Sequence, residues 1–146
     1  MLEPFRAGKF DPLLDKEGGL LDLFDGETDP FYVIGVVGDG VHVNRATLEH
    51  ELAHALYTMC DAYRRDVRAC LRGLDTSALE RDLVALGYCR QVLKDEVHAY
   101  VLTEKLRSKR EQLRFAPVRT RLKSIFREHG GAAALQRVVH RARRLG

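Results

Sequence analysis

Residues 47–56 read Thr47-Leu48-Glu49-His50-Glu51-Leu52-Ala53-His54-Ala55-Leu56. The stretch contains no proline, and its two histidines are four positions apart. Asn44, just upstream, is a residue type that often caps the start of a helix. On an α-helix, side chains at positions i and i+4 lie on the same face, about one turn apart. We therefore expect a helix that presents His50 and His54 side by side.

Two imidazoles in this position can both reach one metal ion, at roughly 2.0–2.1 Å if the metal is zinc. Glu51 lies about 100° around the helix from His50, so it can sit beside the metal as a general base without binding it. The chain has 6 histidines among 146 residues, and random order would produce about 0.016 copies of His-Glu-x-x-His. The motif thus indicates a metal site, with two solvated or hydrogen-bonded histidines as the alternative.

A catalytic metal held by two histidines needs a third protein ligand. Apolar residues recur at steps of three and four over residues 45–72 and 78–110, which predicts two antiparallel helices joined near Asp75. Equal numbers of residues lead away from such a turn and back to it at the same rise per residue. Glu96 should therefore come level with His54, since each is 21 residues from Asp75. The alternative for Glu96 is a solvated position.

The neighbours of Glu96 have predicted places of their own. Tyr100 shares the face of Glu96 and comes level with His50, where it either donates its hydroxyl to an oxyanion or packs between the helices. Asp95 is about 100° from Glu96 around the helix, a position suited to orienting a metal ligand. His98 is about 200° away and should face elsewhere, which makes it the weaker candidate for third ligand.

The segment before the first of these helices has the composition of strands. Residues 31–37 are β-branched and aromatic apart from one glycine, residues 38–40 form a Gly-Asp-Gly turn signal, and residues 41–43 alternate. We therefore expect a β-hairpin that leads into the His50 helix, and a fold class of α+β, mostly helical. The hairpin edge would lie over the metal and bind an extended substrate, or it would simply back the helices.

With His50-Glu51-x-x-His54 followed by Glu96, the chain resembles the gluzincins, which are zinc metallopeptidases whose third ligand is a glutamate from a later helix. The small size and the hairpin-then-helix order are similar to the compact minigluzincin branch. The resemblance covers residues 31–103 and implies a zincin-like core. It also implies Zn²⁺ bound by His50, His54 and Glu96, with Glu51 as base and proton shuttle. Thermolysin-like enzymes have an aspartate four residues after their glutamate, where this chain has Tyr100.

The rest of the sequence divides by charge. Residues 1–102 carry a net charge of −7 and residues 103–146 a net charge of +10. We expect one domain, in which residues 1–30 form an N-terminal wrap, residues 31–103 the zincin-like core, and residues 104–146 a basic helical segment docked on that core. A pro-segment or lid is the alternative for residues 1–30. The basic charge indicates a solvated helix face, or contact with nucleic acid or an acidic partner.

We further expect a cytoplasmic protein without membrane contact. The sequence has no apolar run of 18 residues, no visible signal peptide, and three cysteines without metal or redox spacing. Together these features predict a zinc metallopeptidase that hydrolyses peptide or protein substrates with a zinc-activated water, with Glu51 and Tyr100 as catalytic residues. The alternative is a non-catalytic binding module, in which the metal is structural and the basic helices contact nucleic acid or an acidic protein.

Overall fold

The computed structural model describes residues 7–9, 11–35, 44–103, 106 and 108–145, with the side chains of residues 141–145 excepted. The chain forms two compact units, Met1–Phe31 and Tyr32–Gly146. The first unit contains one described helix, α1 (Asp15–Asp22). The described helices of the second unit are α2 (Arg45–Met59), α3 (Asp61–Leu71), α4 (Ser77–Ala85), α5 (Leu93–Thr103), α6 (Lys109–Glu128) and α7 (Gly131–Leu145).

The predicted α+β fold class is wrong, because the described residues contain helices and no strand. Residues 31–35, the first part of the predicted hairpin, have neither helical nor strand structure, and residues 36–43 lie outside the described ranges. Strand propensity measures how well side chains fit a pleated, half-buried surface, and it needs a neighbouring strand to take effect. Here Ile34 packs against the helical core instead, while Val33 remains 53% exposed.

The two long helices expected on either side of Asp75 are four shorter ones. Cys60 adopts an extended conformation between α2 and α3, with φ −119° and ψ 102°. Gly87, between α4 and α5, has a φ of +99°, a conformation that side chains with a Cβ rarely adopt. Pro117 lies inside α6 on its exposed side, where water can satisfy the carbonyl that the proline ring leaves unbonded.

The core of the second unit is built around α2, α5 and α6. Helix α2 contacts α3, α5 and α7, and α6 contacts α3, α5 and α7. The largest fully buried side chains include residues from five helices, namely Leu48, Tyr63, Leu83, Leu102, Phe115, Leu122 and Ile125. Each buried leucine of this kind contributes about 1.5–3 kcal/mol to folding. This packing holds α2 and α5 side by side, which positions the site described below.

The basic C-terminal helices contribute buried side chains to this core. Helix α6 buries Phe115, Leu122, Ile125 and Phe126, and α7 buries Leu135. The charged residues of these helices lie on the faces between the apolar ones. Within the described part of the chain, every helix is too short or too polar to span a lipid bilayer.

We predict that Leu122→Ala lowers the free energy of unfolding by about 2–5 kcal/mol, because Leu122 is 0% exposed and its truncation leaves a cavity. Leu113 lies on the same helix and is 77% exposed, so Leu113→Ala should change stability by no more than about 0.5 kcal/mol. Urea unfolding followed by circular dichroism measures both. Equal effects of the two substitutions would show that α6 does not dock as described.

Candidate metal centre

Helix α2 presents His50 and His54 on its buried face. The helix begins after Asn44, whose side-chain Oδ1 accepts hydrogen bonds from the backbone nitrogens of Ala46 and Thr47 at 3.0 and 3.3 Å. Leu48 and Leu52 are buried on the same helix and hold it in place. The two histidines are 5% and 7% exposed. Their Nε2 atoms are 3.2 Å apart.

Helix α5 adds Glu96 to this pair. Glu96 Oε2 lies 3.9 Å from His50 Nε2 and 3.6 Å from His54 Nε2. The Glu96 side chain is 13% exposed. The structure thus brings together the three side chains that the sequence predicted as metal ligands, and it places the carboxylate beside both imidazoles rather than in solvent.

The spacing of the three atoms fits a metal ion. Ligand atoms in a tetrahedral zinc site, each about 2.05 Å from the metal, lie about 3.3 Å from one another. The observed separations of 3.2, 3.6 and 3.9 Å are close to this value. A small closing movement of the Glu96 carboxylate would therefore complete the geometry. The arrangement can hold a divalent metal ion and leave a fourth position for another ligand.

The second ring nitrogen of each histidine is engaged in a way that orients the ring. His50 Nδ1 lies 3.3 Å from the hydroxyl of Thr103, which itself donates to the carbonyl of Ala99 at 2.8 Å. The Thr103 hydroxyl therefore accepts a hydrogen bond from His50 Nδ1–H. His54 Nδ1 lies 2.9 Å from Asp95 Oδ1, which can only accept while ionised. Both rings then carry their proton on Nδ1 and direct the Nε2 lone pair at the space shared with Glu96.

The pKa shifts of His54 and Asp95 agree with a hydrogen bond between the two side chains. Burial by itself lowers the pKa of His54, but the hydrogen bond and charge of Asp95, with the charges of Glu96 and Glu51, raise the pKa above its ordinary value. Burial by itself raises the pKa of Asp95, but hydrogen bonds from His54 and His98 outweigh it and lower the pKa. The Asp95 carboxylate is thus held ionised against His54, the position predicted for an orienting residue.

His98 is buried next to the site and is not one of the three converging groups. The side chain is 0% exposed. Its Nδ1 donates to the carbonyl of Asp95 at 2.8 Å, and its Nε2 accepts from the hydroxyl of Tyr63 at 3.0 Å. Its ring also stacks on Tyr57, with centroids 5.1 Å apart. His98 therefore supports Asp95 from the core, in agreement with the expectation that it faces away from the metal ligands.

Glu51 and three tyrosines surround the converging ligands. Glu51 is partly buried. A hydrogen bond with Tyr100, burial, and the charges of Glu96 and Glu51 raise the pKa of Tyr88. Burial and the charges of Asp95, Glu51 and Glu96 raise the pKa of Tyr32. Glu51 therefore lies close enough for its charge to act on the hydroxyl groups of Tyr32 and Tyr88.

Tyr100 lies against His50, one of the three candidate metal ligands. Its ring meets the ring of His50 edge to face, with centroids 5.2 Å apart. Its hydroxyl is 3.4 Å from the hydroxyl of Tyr88. The position is compatible with both predicted roles, since the ring packs between α2 and α5 while the hydroxyl points toward polar neighbours.

Thr103, Tyr88 and Tyr32 were not predicted as site residues. The position of Thr103 could have been predicted, because it follows Tyr100 by three positions and so continues the face of α5 that presents Glu96. Tyr88 precedes α5, and Tyr32 belongs to the segment that was expected to be a strand. No pattern of spacing linked either tyrosine to the histidines.

A scan of protein-family models, a search of curated proteins and a search of solved structures each return no match to this chain. The interpretation of the site therefore rests on its own geometry. Among the described residues, His50, His54 and Glu96 are the one group of three metal-binding side chains whose ligand atoms converge, all within 4.8 Å of one another.

We predict that Asp95→Asn weakens zinc binding by about 10- to 100-fold, because the loss of the carboxylate removes the charged acceptor that orients His54. Competition with a chromophoric chelator measures the affinity. Glu49→Gln is the matched control, because it removes the same charge from α2 on the side that faces Lys123 and Arg127. If both variants bind zinc as tightly as the wild type, Asp95 does not support a metal ligand.

Proposed function

We propose that this protein is a zinc-dependent metallopeptidase whose metal is held by His50, His54 and Glu96. One observation carries the proposal. Two imidazole nitrogens and one carboxylate oxygen converge with separations of 3.2–3.9 Å, while the opposite nitrogen of each ring contacts a residue suited to orient it. Such engagement of the outer nitrogen is typical of histidines that bind metals.

The donor set favours zinc and a catalytic rather than a structural site. Two histidines and a carboxylate suit zinc, whereas magnesium and calcium prefer oxygen ligands alone. Structural zinc sites use four protein ligands, and catalytic sites use three with one position open. Among the described residues the converging group has three members. Three converging ligands, rather than four, support a catalytic site.

Zinc bound there would act as a Lewis acid and lower the pKa of a water molecule toward neutrality. Glu51 follows His50 on α2, and its charge acts on Tyr32 and Tyr88, so we assign its carboxylate the role of accepting the proton of the attacking water. The same carboxylate then delivers that proton to the amine that leaves as the peptide bond breaks. Thr103 and Asp95 keep the two imidazoles in the orientation that binding requires.

Tyr100 is assigned the stabilisation of negative charge on the carbonyl oxygen of the substrate. Its ring is held against His50, and its hydroxyl lies beside that of Tyr88. A hydroxyl so placed can donate a hydrogen bond to an oxygen next to the metal ligands as charge develops there. Tyr88 would orient this hydroxyl by accepting or donating a hydrogen bond.

The gluzincin resemblance agrees with this proposal in its ligand set and in the pairing of two helices. It does not extend to the predicted hairpin, so the proposal assigns no substrate-binding role to a strand edge. We include in the proposal a cytoplasmic location, because three cysteines without CxxC spacing are typical of free thiols in a reducing compartment.

We predict that Glu51→Gln retains stoichiometric zinc and loses at least about 10²-fold in hydrolysis of casein or of a peptide library, because the amide cannot accept a proton. Metal analysis and a digest followed by mass spectrometry measure the two properties. Glu49→Gln removes the same charge two residues earlier on α2 and should leave hydrolysis unchanged. Glu96→Ala should reduce both zinc content and hydrolysis.

The same experiment separates the alternative of a metal-stabilised binding module. If the wild type binds zinc through His50, His54 and Glu96 but hydrolyses no peptide under any condition tested, the metal is structural and the peptidase proposal fails. Hydrolysis that survives Glu51→Gln would assign the base to another residue.

We predict that Tyr100→Phe lowers kcat by about 10- to 100-fold with little change in zinc affinity, because it removes one hydrogen-bond donor to the developing charge and keeps the ring against His50. Tyr57→Phe is the control, since the Tyr57 hydroxyl accepts a hydrogen bond from Arg68 at 3.1 Å. Steady-state kinetics on a fluorogenic peptide measure the effect. An unchanged kcat would leave Tyr100 with a packing role alone.

A further inference from the structure

A second cluster of reactive side chains lies where α2 gives way to α3 and α6 ends. Cys60 connects α2 and α3, Asp66 lies on α3, and His129 follows α6. His129 Nδ1 is 3.8 Å from the sulfur of Cys60, and His129 Nε2 is 2.8 Å from Asp66 Oδ2. The thiol contacts the imidazole, and the imidazole contacts the carboxylate. Nucleophile, base and orienting carboxylate have the same arrangement in enzymes that use covalent catalysis.

The Asp66 carboxylate determines which tautomer His129 adopts, and so whether the nitrogen next to the thiol can act as a base. Asp66 can only accept a hydrogen bond while it is ionised, so His129 Nε2 carries the proton between them. In the neutral ring, Nδ1 then has its lone pair free of a proton and directed at the sulfur. The thiol proton can pass to this nitrogen as the sulfur attacks. Asp66 stabilises the imidazolium that results.

The ring of His129 is held in place by a buried neighbour. Tyr63 is 0% exposed, and its ring meets that of His129 edge to face with centroids 5.6 Å apart. The Tyr63 hydroxyl is in turn fixed by His98. The His129 side chain itself is 19% exposed, and Cys60 is partly exposed. The cluster is thus rigid on its inner side and open to a small molecule on its outer side.

We propose that Cys60 is a nucleophilic thiol that reacts with hydroperoxides, with His129 as its base and Asp66 as a positioning residue. The thiol proton passes to His129 Nδ1 while sulfur attacks one oxygen of the hydroperoxide. A sulfur–oxygen bond forms as the oxygen–oxygen bond breaks, and His129 returns the proton to the departing oxygen. The sulfur is oxidised by two electrons to a sulfenic acid, and the hydroperoxide is reduced to an alcohol or, from hydrogen peroxide, to water.

The other two cysteines of the chain provide internal controls. Cys89 is exposed, and Cys70 is partly buried with a pKa raised by that burial. If access alone governed oxidation, Cys89 would react first. The proposal requires Cys60 to react first although it is less exposed than Cys89.

The test treats the full chain with hydrogen peroxide, traps sulfenic acid with dimedone, and measures the labelling rate at each cysteine by peptide mass spectrometry. We expect Cys60 to be labelled at least about tenfold faster than Cys89, and His129→Gln to remove this advantage. Asp66→Asn should lower the Cys60 rate several-fold, while Asp61→Asn, the same change in the first turn of α3, should not.

Labelling of Cys60 no faster than of Cys89 in the wild type would overturn the proposal, as would a Cys60 rate unaffected by both Asp66→Asn and His129→Gln. Thermal unfolding of each variant identifies a substitution that disturbs the fold. Because Asp66 is half exposed at the surface, the comparison of Asp66→Asn with Asp61→Asn decides the question even if His129→Gln does not fold.

Discussion

The pairing of α2 with α5 is the constraint on which the site depends. Helix α2 carries the two histidines one turn apart, and α5 carries Glu96, Tyr100 and Thr103 along one face. Buried side chains on both helices, such as Leu48 on α2 and Leu102 on α5, hold the two faces together. A slide of one turn, about 5.4 Å, would remove the carboxylate from the imidazole pair. The apolar packing thus determines how far the Glu96 carboxylate lies from the two imidazoles.

Burying several polar groups between these helices carries a cost that hydrogen bonds offset. The groups are satisfied in a connected series, from Tyr63 to His98, from His98 to Asp95, and from Asp95 to His54. His50 is held separately by Thr103. Tyr63 also contacts the ring of His129, so one buried aromatic residue packs against both His98, beside the candidate metal site, and the Cys60 cluster. These hydrogen bonds hold the imidazole rings in fixed orientations, as the binding of a small ion between them requires.

Much of the helical core and the main site residues could be predicted, and the strand region could not. The register argument treated the helices as unbroken, and both are broken, at Cys60 and at Gly87. It nevertheless brought Glu96 to His54, and the breaks fall outside the segments that carry the site, 50–54 and 96–103. The β-branched run at residues 31–35 misled the fold-class prediction, because composition does not reveal whether a partner strand exists.

The spacing of His50 and His54, the apolar faces of the helices and the shared face of Glu96 and Tyr100 follow from the periodicity of a single helix, so the sequence was enough to predict them. The groups that face the outer nitrogens of the imidazoles, and the approach of His129 to Cys60 across 69 positions of the chain, are known only from the folded structure. Such contacts depend on how helices approach one another. That approach is set by the summed packing of many side chains, which no local pattern encodes.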